Sequence, residues 1–143
     1  MRISQVLQNK GDDVATVSRH ASVNDALSLL AFRGVGALVV SEDGRHAEGI
    51  VSERDIVRAL YVRGPHVVEQ TVADVMTGLI RTCSPDDHIE EVMAMMTELR
   101  VRHLPVLVDG ELAGIVSIGD VVKARIDELE KVRFELVEYI RAR

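Results

Sequence analysis

The chain repeats itself once, and that repetition restricts its possible folds more than any other feature of its 143 residues. Gly49-Ile50-Val51-Ser52-Glu53-Arg54-Asp55 returns 65 positions later as Gly114-Ile115-Val116-Ser117-Ile118-Gly119-Asp120, with five of the seven positions identical. Upstream, Val35 to Val40 aligns with Val101 to Val106 at a shift of 66, and Thr16-Val17-Ser18 aligns with Thr82-Cys83-Ser84. Even the lead-in segments correspond, Ile3 to Leu7 resembling Val72 to Met76. A copy alone, at about 60 residues, is marginal for burying an adequate core, and two copies packed sheet to sheet remove that shortage.

Hydrophobic period and punctuation give each copy its elements. Val14 to Val17 and Leu79 to Cys83 read as short strands, each leading into a helix start. Val23, Ala26, Leu27 and Leu30, and again Ile89, Val92, Met93 and Met96, recur at spacings of three and four, one buried stripe per helix. Ser84, ahead of Pro85, Asp86 and Asp87, is the expected cap of the second of these helices, and Ser22 or Asn24 that of the first. Strands over Ala37 to Val40 and Leu104 to Val108 then precede turns at Glu42-Asp43-Gly44 and Asp109-Gly110. Gly beside Asp tolerates positive φ, which is a hairpin signal. A return strand ends in Gly-Ile-Val-Ser, and Ser-x-x-Asp opens a second helix at Ile56 to Tyr61 and from Val121 onward. The expected unit is βαββα, used twice, an α+β arrangement. Its boundaries are 1–62 with the lead-in, a linker over 63–70 marked by Arg63-Gly64-Pro65-His66, a second repeat over 71–125, and a helical extension over 126–143. Pro105 cannot donate to a ladder, so its strand should begin there or turn that side to an edge.

The extension carries Val122, Ile126, Leu129, Val132, Leu136 and Ile140 at helical spacing. A helix from Val121 to the end would reach roughly 34 Å, so part of the stripe must extend beyond one repeat's sheet. It either closes the protein's own core or meets a partner.

Seventeen basic and 23 acidic side chains leave a formal charge of −6, against a general nucleic-acid or membrane-surface binder, whose affinity needs a dense positive field. Two Phe, two Tyr and no Trp also leave almost no base-stacking platform. A small anion held in one locally basic cleft remains open. The apolar stretches around Ala37 to Val40 and Leu104 to Val108 are far too short to span a bilayer, and Met1 to Gln5 lacks the apolar core of a secretory signal. A cytoplasmic location is therefore expected. The single Cys83 excludes an internal disulfide, and its strand position reads as packing rather than nucleophilic chemistry. His20, His46, His66, His88 and His103 show no metal-ligand spacing, and no catalytic constellation emerges, so no enzymatic activity is expected.

The two Gly-h-h-Ser-x-x-Asp segments, with h apolar, are the candidate chemistry. A strand end that feeds a helix N-terminus exposes unpaired backbone N–H groups, which attract anions. Ser52 and Ser117 can cap a helix or donate to a phosphate, while Asp55 and Asp120 can accept from the two hydroxyls of a ribose. The same spacing is also a plain capping-box helix start. The copies are not equal. Copy one has Arg54 where copy two has Gly119, and copy two has Arg100, Arg102 and His103 where copy one has Gly34, Gly36 and Ala37. A cleft built from both repeats would combine Arg54 with Arg102 and His103, and the two sites should differ in affinity; the arginines could equally be surface ion-pair formers.

The two Gly-Ile-Val-Ser-x-x-Asp segments, the Leu104-Pro105-Val106 strand and the Val75-Met76-Thr77 lead-in resemble the paired cystathionine-β-synthase (CBS) domains, or Bateman module, over nearly all of Met1 to Lys123. The resemblance implies a pseudo-twofold pair whose clefts bind adenosine-containing ligands: AMP, ADP, ATP, NAD(H) or S-adenosylmethionine. By that pattern Asp55 and Asp120 hold ribose hydroxyls, and Ser52 and Ser117 touch phosphate. Thr16 and Thr82 line the base and ribose region, and residues around Leu38, Leu104 and Pro105 flank the adenine. It further implies a stand-alone regulatory module that acts on a protein target, a homodimer, and an effector rather than a catalytic cofactor. The rival readings are an oligomerisation module without ligand sensing and a regulatory subunit of an enzyme resembling IMP dehydrogenase.

Overall fold

In the computed structural model, which describes residues 1–78 and 81–143, the first repeat builds the expected unit. Helix α1 (Ile3–Lys10) leads into β1 (Thr16–Val17), α2 (Val23–Arg33), β2 (Ala37–Val40), β3 (Gly49–Ser52) and α3 (Glu53–Arg63). A single 3-10 turn over Pro65–Glu69 occupies the linker, followed by α4 (Val72–Val75) and β4 (Thr77–Gly78). The second repeat continues with α5 (Ile89–Leu99), β5 (His103–Val108), β6 (Glu111–Ser117) and α6 (Ile118–Arg141). One sheet has the order β1-β2-β3-β4, with β1 parallel to β2 and the other pairs antiparallel. The other is the antiparallel pair β5-β6.

The strand expected over Leu79 to Cys83 falls partly on residues outside those described. What the structure shows of it is one parallel bridge, Cys83 to Val106. Cys83 N–H donates to the Pro105 carbonyl and Leu107 N–H donates to the Cys83 carbonyl. Pro105 therefore does not begin its strand, which starts two residues earlier at His103. Its missing N–H lies on the side of β5 where Cys83 is the only bridged neighbour among the described residues, so the ladder to β6 is kept. The turn before β6 takes the left-handed geometry expected, with φ of 52° at Asp109 and 79° at Gly110.

Caps follow the expectation in one copy and depart from it in the other. Ser22 Oγ accepts from Asp25 N–H at 3.0 Å and starts α2. Ser84 does not cap α5, which begins behind His88 with no side-chain cap bond. Ser84 lies too far upstream and closes its own turn, in which the Asp87 carboxylate accepts from Ser84 N–H at 2.8 Å. That turn serves α1 instead, its Pro85 and Asp87 carbonyls accepting from Ser4 N–H and Ile3 N–H.

Two cores form, and each takes in the lead-in of the other repeat. Ile3, Val6 and Leu7 of α1 are buried with Ile89, Val92, Met96, Leu104, Val106, Val116 and Val121 of the second repeat. Val72 and Val75 of α4 are buried with Val23, Leu30, Leu38, Val51 and Ile56 of the first. This exchange staples two marginal halves into one folding unit. Helix α6 leaves its core early. Val121 and Ala124 are its buried residues, while Ile126, Leu129, Leu136 and Ile140 are 51 to 69% exposed. The stripe thus closes the protein's own core over its first two turns only. Among the described residues no helix is long and apolar enough to cross a membrane.

Candidate functional site

The end of β3 delivers Ser52 to the first turn of α3, where the capping reading of Ser-x-x-Asp is realised. Ser52 Oγ accepts from Asp55 N–H at 3.2 Å, and Asp55 Oδ2 accepts from both the Ser52 N–H and the Ser52 hydroxyl at 2.9 Å. This locks the carboxylate without consuming it. The second oxygen, Oδ1, accepts only one weaker bond among those resolved, from the Thr77 hydroxyl at 3.2 Å. Thr77 belongs to β4, whose pairing with β3 sets Ile50 opposite Thr77 and Gly49 opposite Gly78. Gly49 permits that approach, because a Cβ there would lie 2.4 Å from the Thr77 carbonyl oxygen.

Asp55 opens into a cleft of about 350 Å³ between the repeats, within the usual range of small-molecule sites. One wall is Ser52, Glu53, Arg54, Asp55 and Arg58 of the first repeat with Thr77 and Gly78, and the other is Leu99 to Leu104 of the second. Five guanidinium groups, Arg54, Arg58, Arg81, Arg100 and Arg102, line it against the two carboxylates of Glu53 and Asp55. Among the described residues none of the five lies within 4.0 Å of a carboxylate, so the ion-pair alternative for Arg54 and Arg102 is not realised. An adjoining groove past Met96, Thr97 and Ile118 shares four of these arginines. Arginine stays charged at every physiological pH and presents a planar fork suited to phosphate.

His103 sits at the seam, its ring 3.6 Å from where a Cβ on Gly36 would be. Burial pushes its imidazole below the ordinary value; the neighbouring carboxylates of Asp120 and Glu53 oppose that shift, while Lys10 and Arg102 add to it. His103 is therefore a neutral hydrogen-bonding group near pH 7.

The second Ser-x-x-Asp repeats the cap, with a different partner on its carboxylate. Ser117 Oγ accepts from Asp120 N–H at 3.1 Å, and Asp120 Oδ2 accepts from Ser117 N–H at 2.9 Å. Lys10 Nζ lies 2.6 Å from the same oxygen. Burial disfavours the charged form of Asp120 and is the largest single influence, yet the bonds from Lys10 and Ser117 and the Lys10 charge together outweigh it. The carboxyl is held below its usual pKa.

Of the residues singled out from sequence, Ser52, Arg54, Asp55, Arg102 and His103 converge in the Asp55 cleft. Ser117 and Asp120 lie at the other turn. Thr16 pairs with Val39 in β1, Thr82 is half-buried beside Cys83, and Pro105 is buried in β5, and none of the three lines the Asp55 cleft. Sequence reasoning missed Thr77, Arg58, Arg81 and Lys10. Arg58 was within reach, since it follows Arg54 by four residues and shares its helix face. Lys10 carries no local signal. Among the described residues no group of three or more His, Cys, Asp or Glu could hold a metal ion. Cys83 is buried, and burial followed by the Asp87 charge raises its thiol to about 12, as packing rather than nucleophilic chemistry requires.

Two βαββα repeats that exchange their lead-ins and meet across an arginine-lined cleft define a tandem-repeat module rather than two independent domains. The chain belongs to the CBS-domain family, the CBS domain pattern matching residues 5–62 and again 72–127. A CBS domain-containing mitochondrial protein of Arabidopsis thaliana is 35% identical over 96% of this chain and 71% of its own length. The crystal structure of a CBS-domain protein from Agrobacterium tumefaciens superposes with a TM-score of 0.84 at 40% identity, covering 87% of this chain and 99% of that one. A CBS domain protein from Pyrobaculum aerophilum, solved in complex with AMP, gives a TM-score of 0.74 at 27% identity over 84% of this chain and 89% of its own.

Proposed function

We propose that this chain is a regulatory module that binds an adenosine-containing ligand in the Asp55 cleft and reports the binding through changed packing against a partner. The observation that carries the reading is the convergence of five arginines on a carboxylate that is already oriented. The Asp55 Oδ1 atom can accept from ribose hydroxyls in place of Thr77, while the arginine wall meets phosphate. The arginines also rank the ligands. A wall with five guanidinium groups and two carboxylates favours ATP, ADP and NAD(H) over AMP, and it disfavours the sulfonium cation of S-adenosylmethionine. An AMP complex of a CBS-domain relative supports the adenosyl part of the reading.

The likeness to CBS-domain proteins supports a module that acts by binding. The exposed stripe of α6 supports a homodimer, with this helix as the element that reports the bound state to a protein target. A ligand that signals must bind two arrangements of that packing unequally.

The test is calorimetry on protein freed of copurified nucleotide, which the absence of Trp makes easy to verify by absorbance at the adenine band. ATP and ADP are expected to bind more tightly than AMP, with S-adenosylmethionine weakest, and Asp55→Asn and Arg102→Ala to weaken ATP. At about 100 times its dissociation constant a ligand adds roughly 2.7 kcal/mol to apparent stability, which a thermal shift would register independently. No binding by any of the four would overturn the sensor reading in favour of an oligomerisation module. Tightest binding of S-adenosylmethionine would overturn the role given to the arginines.

A further inference from the structure

We infer that α6 pairs with α6 of a second copy of this chain in the antiparallel sense, and that Arg133 of each copy meets Glu130 of the other. The inference rests on the reading of α6 as the homodimer element and adds the direction of the second helix and the contact that sets it.

The free part of α6 has the spacing of a two-stranded seam. Val122, Ile126, Leu129, Arg133, Leu136 and Ile140 follow one another in alternating steps of four and three residues, the heptad spacing of helices that wind together. Ile126, Leu129, Leu136 and Ile140 are 51 to 69% exposed, so nothing in the chain itself covers this line. From Val122 to Ile140 the seam runs roughly 27 Å. Heptad side chains insert between four residues of a facing helix, so the complement of this face is another helix of the same spacing.

Arg133 is the one charged member of the line, and it decides the direction. The other arginines of this end have partners: Arg125 lies 2.8 Å from Glu90 and 3.5 Å from Glu128, Arg141 lies 3.8 Å from Glu138, and Arg143 stands over the Tyr139 ring. Among the described residues Arg133 has no carboxylate within 4.0 Å and Glu130 has no cation, although they are three residues apart on one helix. Both are exposed. Three residues back along a helix is a rotation of about 60°, so Glu130 flanks the seam beside Arg133.

A parallel second helix would set identical positions face to face and bring two Arg133 guanidinium groups together inside an apolar seam, where unpaired like charge is costly. An antiparallel helix with Val122 opposite Ile140 of the second copy sets Ile126 opposite Leu136 and Arg133 opposite Leu129, with Glu130 alongside. The twofold axis makes each contact twice, so both unmet arginines and both unmet carboxylates are paired at once. The face is therefore complementary to itself, which commits it to a second copy of this chain. A charge at a core position of such a seam lowers stability and specifies alignment, and here it selects the antiparallel one.

The experiment is sedimentation of the full chain over a concentration series, with charge reversals in the seam. Arg133→Glu and Glu130→Arg are each expected to raise the dissociation constant of the dimer by about tenfold or more, since each turns two attractions into two repulsions. The double reversal should restore the dimer, and an equimolar mixture of the two single variants should form a heterodimer. Oxidative crosslinking reads the direction separately, because Cys83 is buried and leaves an introduced thiol as the reactive one. Ile140→Cys should not link to itself, whereas a mixture of Val122→Cys and Ile140→Cys should link. Self-linking of Ile140→Cys, or a dimer in which the double reversal fails to rescue the single ones, would overturn the antiparallel seam and leave the homodimer reading intact. A dimer indifferent to both single reversals would move the interface off this line of α6. A wild type that is monomeric throughout the series would overturn the homodimer reading and this inference with it.

Discussion

Replacing Gly49 with alanine tests whether β4 is truly held against β3, and with it the geometry of the Asp55 cleft. A Cβ on Gly49 would lie 2.4 Å from the carbonyl oxygen of Thr77 and 2.7 Å from Met76 Cε. Real Cβ contacts do not fall below 3.0 Å, so the oxygen must retreat by at least 3.0 − 2.4 = 0.6 Å. The methionine end can swing aside, but the carbonyl is backbone in a two-residue strand, and moving it loosens the β3-β4 pairing. Overpacking that displaces backbone costs about 2 to 3 kcal/mol. At roughly 2 to 4 °C per kcal/mol, scaling from domains slightly larger than this one, the melting temperature should fall by several degrees. Thr77 and Gly78 also wall the Asp55 cleft, so displacing β4 should weaken ATP by about tenfold. Gly114 is the internal control. The three atoms nearest its Cβ would all belong to the Leu7 side chain, the Cδ atoms at 2.8 and 3.0 Å, and no backbone atom is among them, so Gly114→Ala should cost about 1 kcal/mol or less. Urea unfolding of both variants, with ATP titration, decides the matter. Equal losses in the two, or an unchanged Gly49→Ala, would refute the argument from backbone contact.

Other outcomes follow from the same structure. Cys83, with its thiol raised to about 12, should not react with a disulfide reagent at pH 8 until urea is added. Because the folded value lies above the unfolded one, its contribution is complete below about pH 8.5 and is lost as pH rises toward 12; Cys83→Ala should flatten that alkaline slope. His103 has the opposite sense: its folded value is depressed, so the unfolded chain takes up a proton first and stability falls as pH drops below about 6.5. Urea midpoints at several pH values should show that fall, and His103→Gln should remove it; an unchanged slope would assign it to other groups. Leu129→Glu with Leu136→Glu, both exposed on α6, should leave the urea midpoint within about 0.5 kcal/mol yet convert a dimer to a monomer in sedimentation. A wild type that sediments as a monomer would remove the role given to that helix.

Much of this architecture was legible in one dimension, because a repeat exposes its own punctuation. The stripes of α2 and α5, the turn before β6 and the Ser-x-x-Asp helix starts all appear where period and residue type place them. Ser84 shows the limit: local chemistry identified a turn former but not which helix it would serve, and tertiary folding handed its carbonyl neighbours to α1. The site divides in the same way. Ser52 and Asp55 were legible since their spacing is local, and Arg54 and Arg102 were candidates through the mismatch between copies. Thr77 and Lys10 were not, because each reaches its carboxylate across the fold.

By itself, the sequence determined the duplicated βαββα unit, the absence of any disulfide and the two carboxylates with their serine partners. These depend on neighbours within a few residues, where hydrogen-bond geometry and hydrophobic period act directly. Only the tertiary structure decided that the lead-ins change places, that five arginines from both repeats face one cleft, and that Lys10 reaches the carboxylate of Asp120. Those outcomes depend on which surfaces two half-sized cores must share, and residues as distant as Lys10 and Asp120 meet only once that sharing is complete.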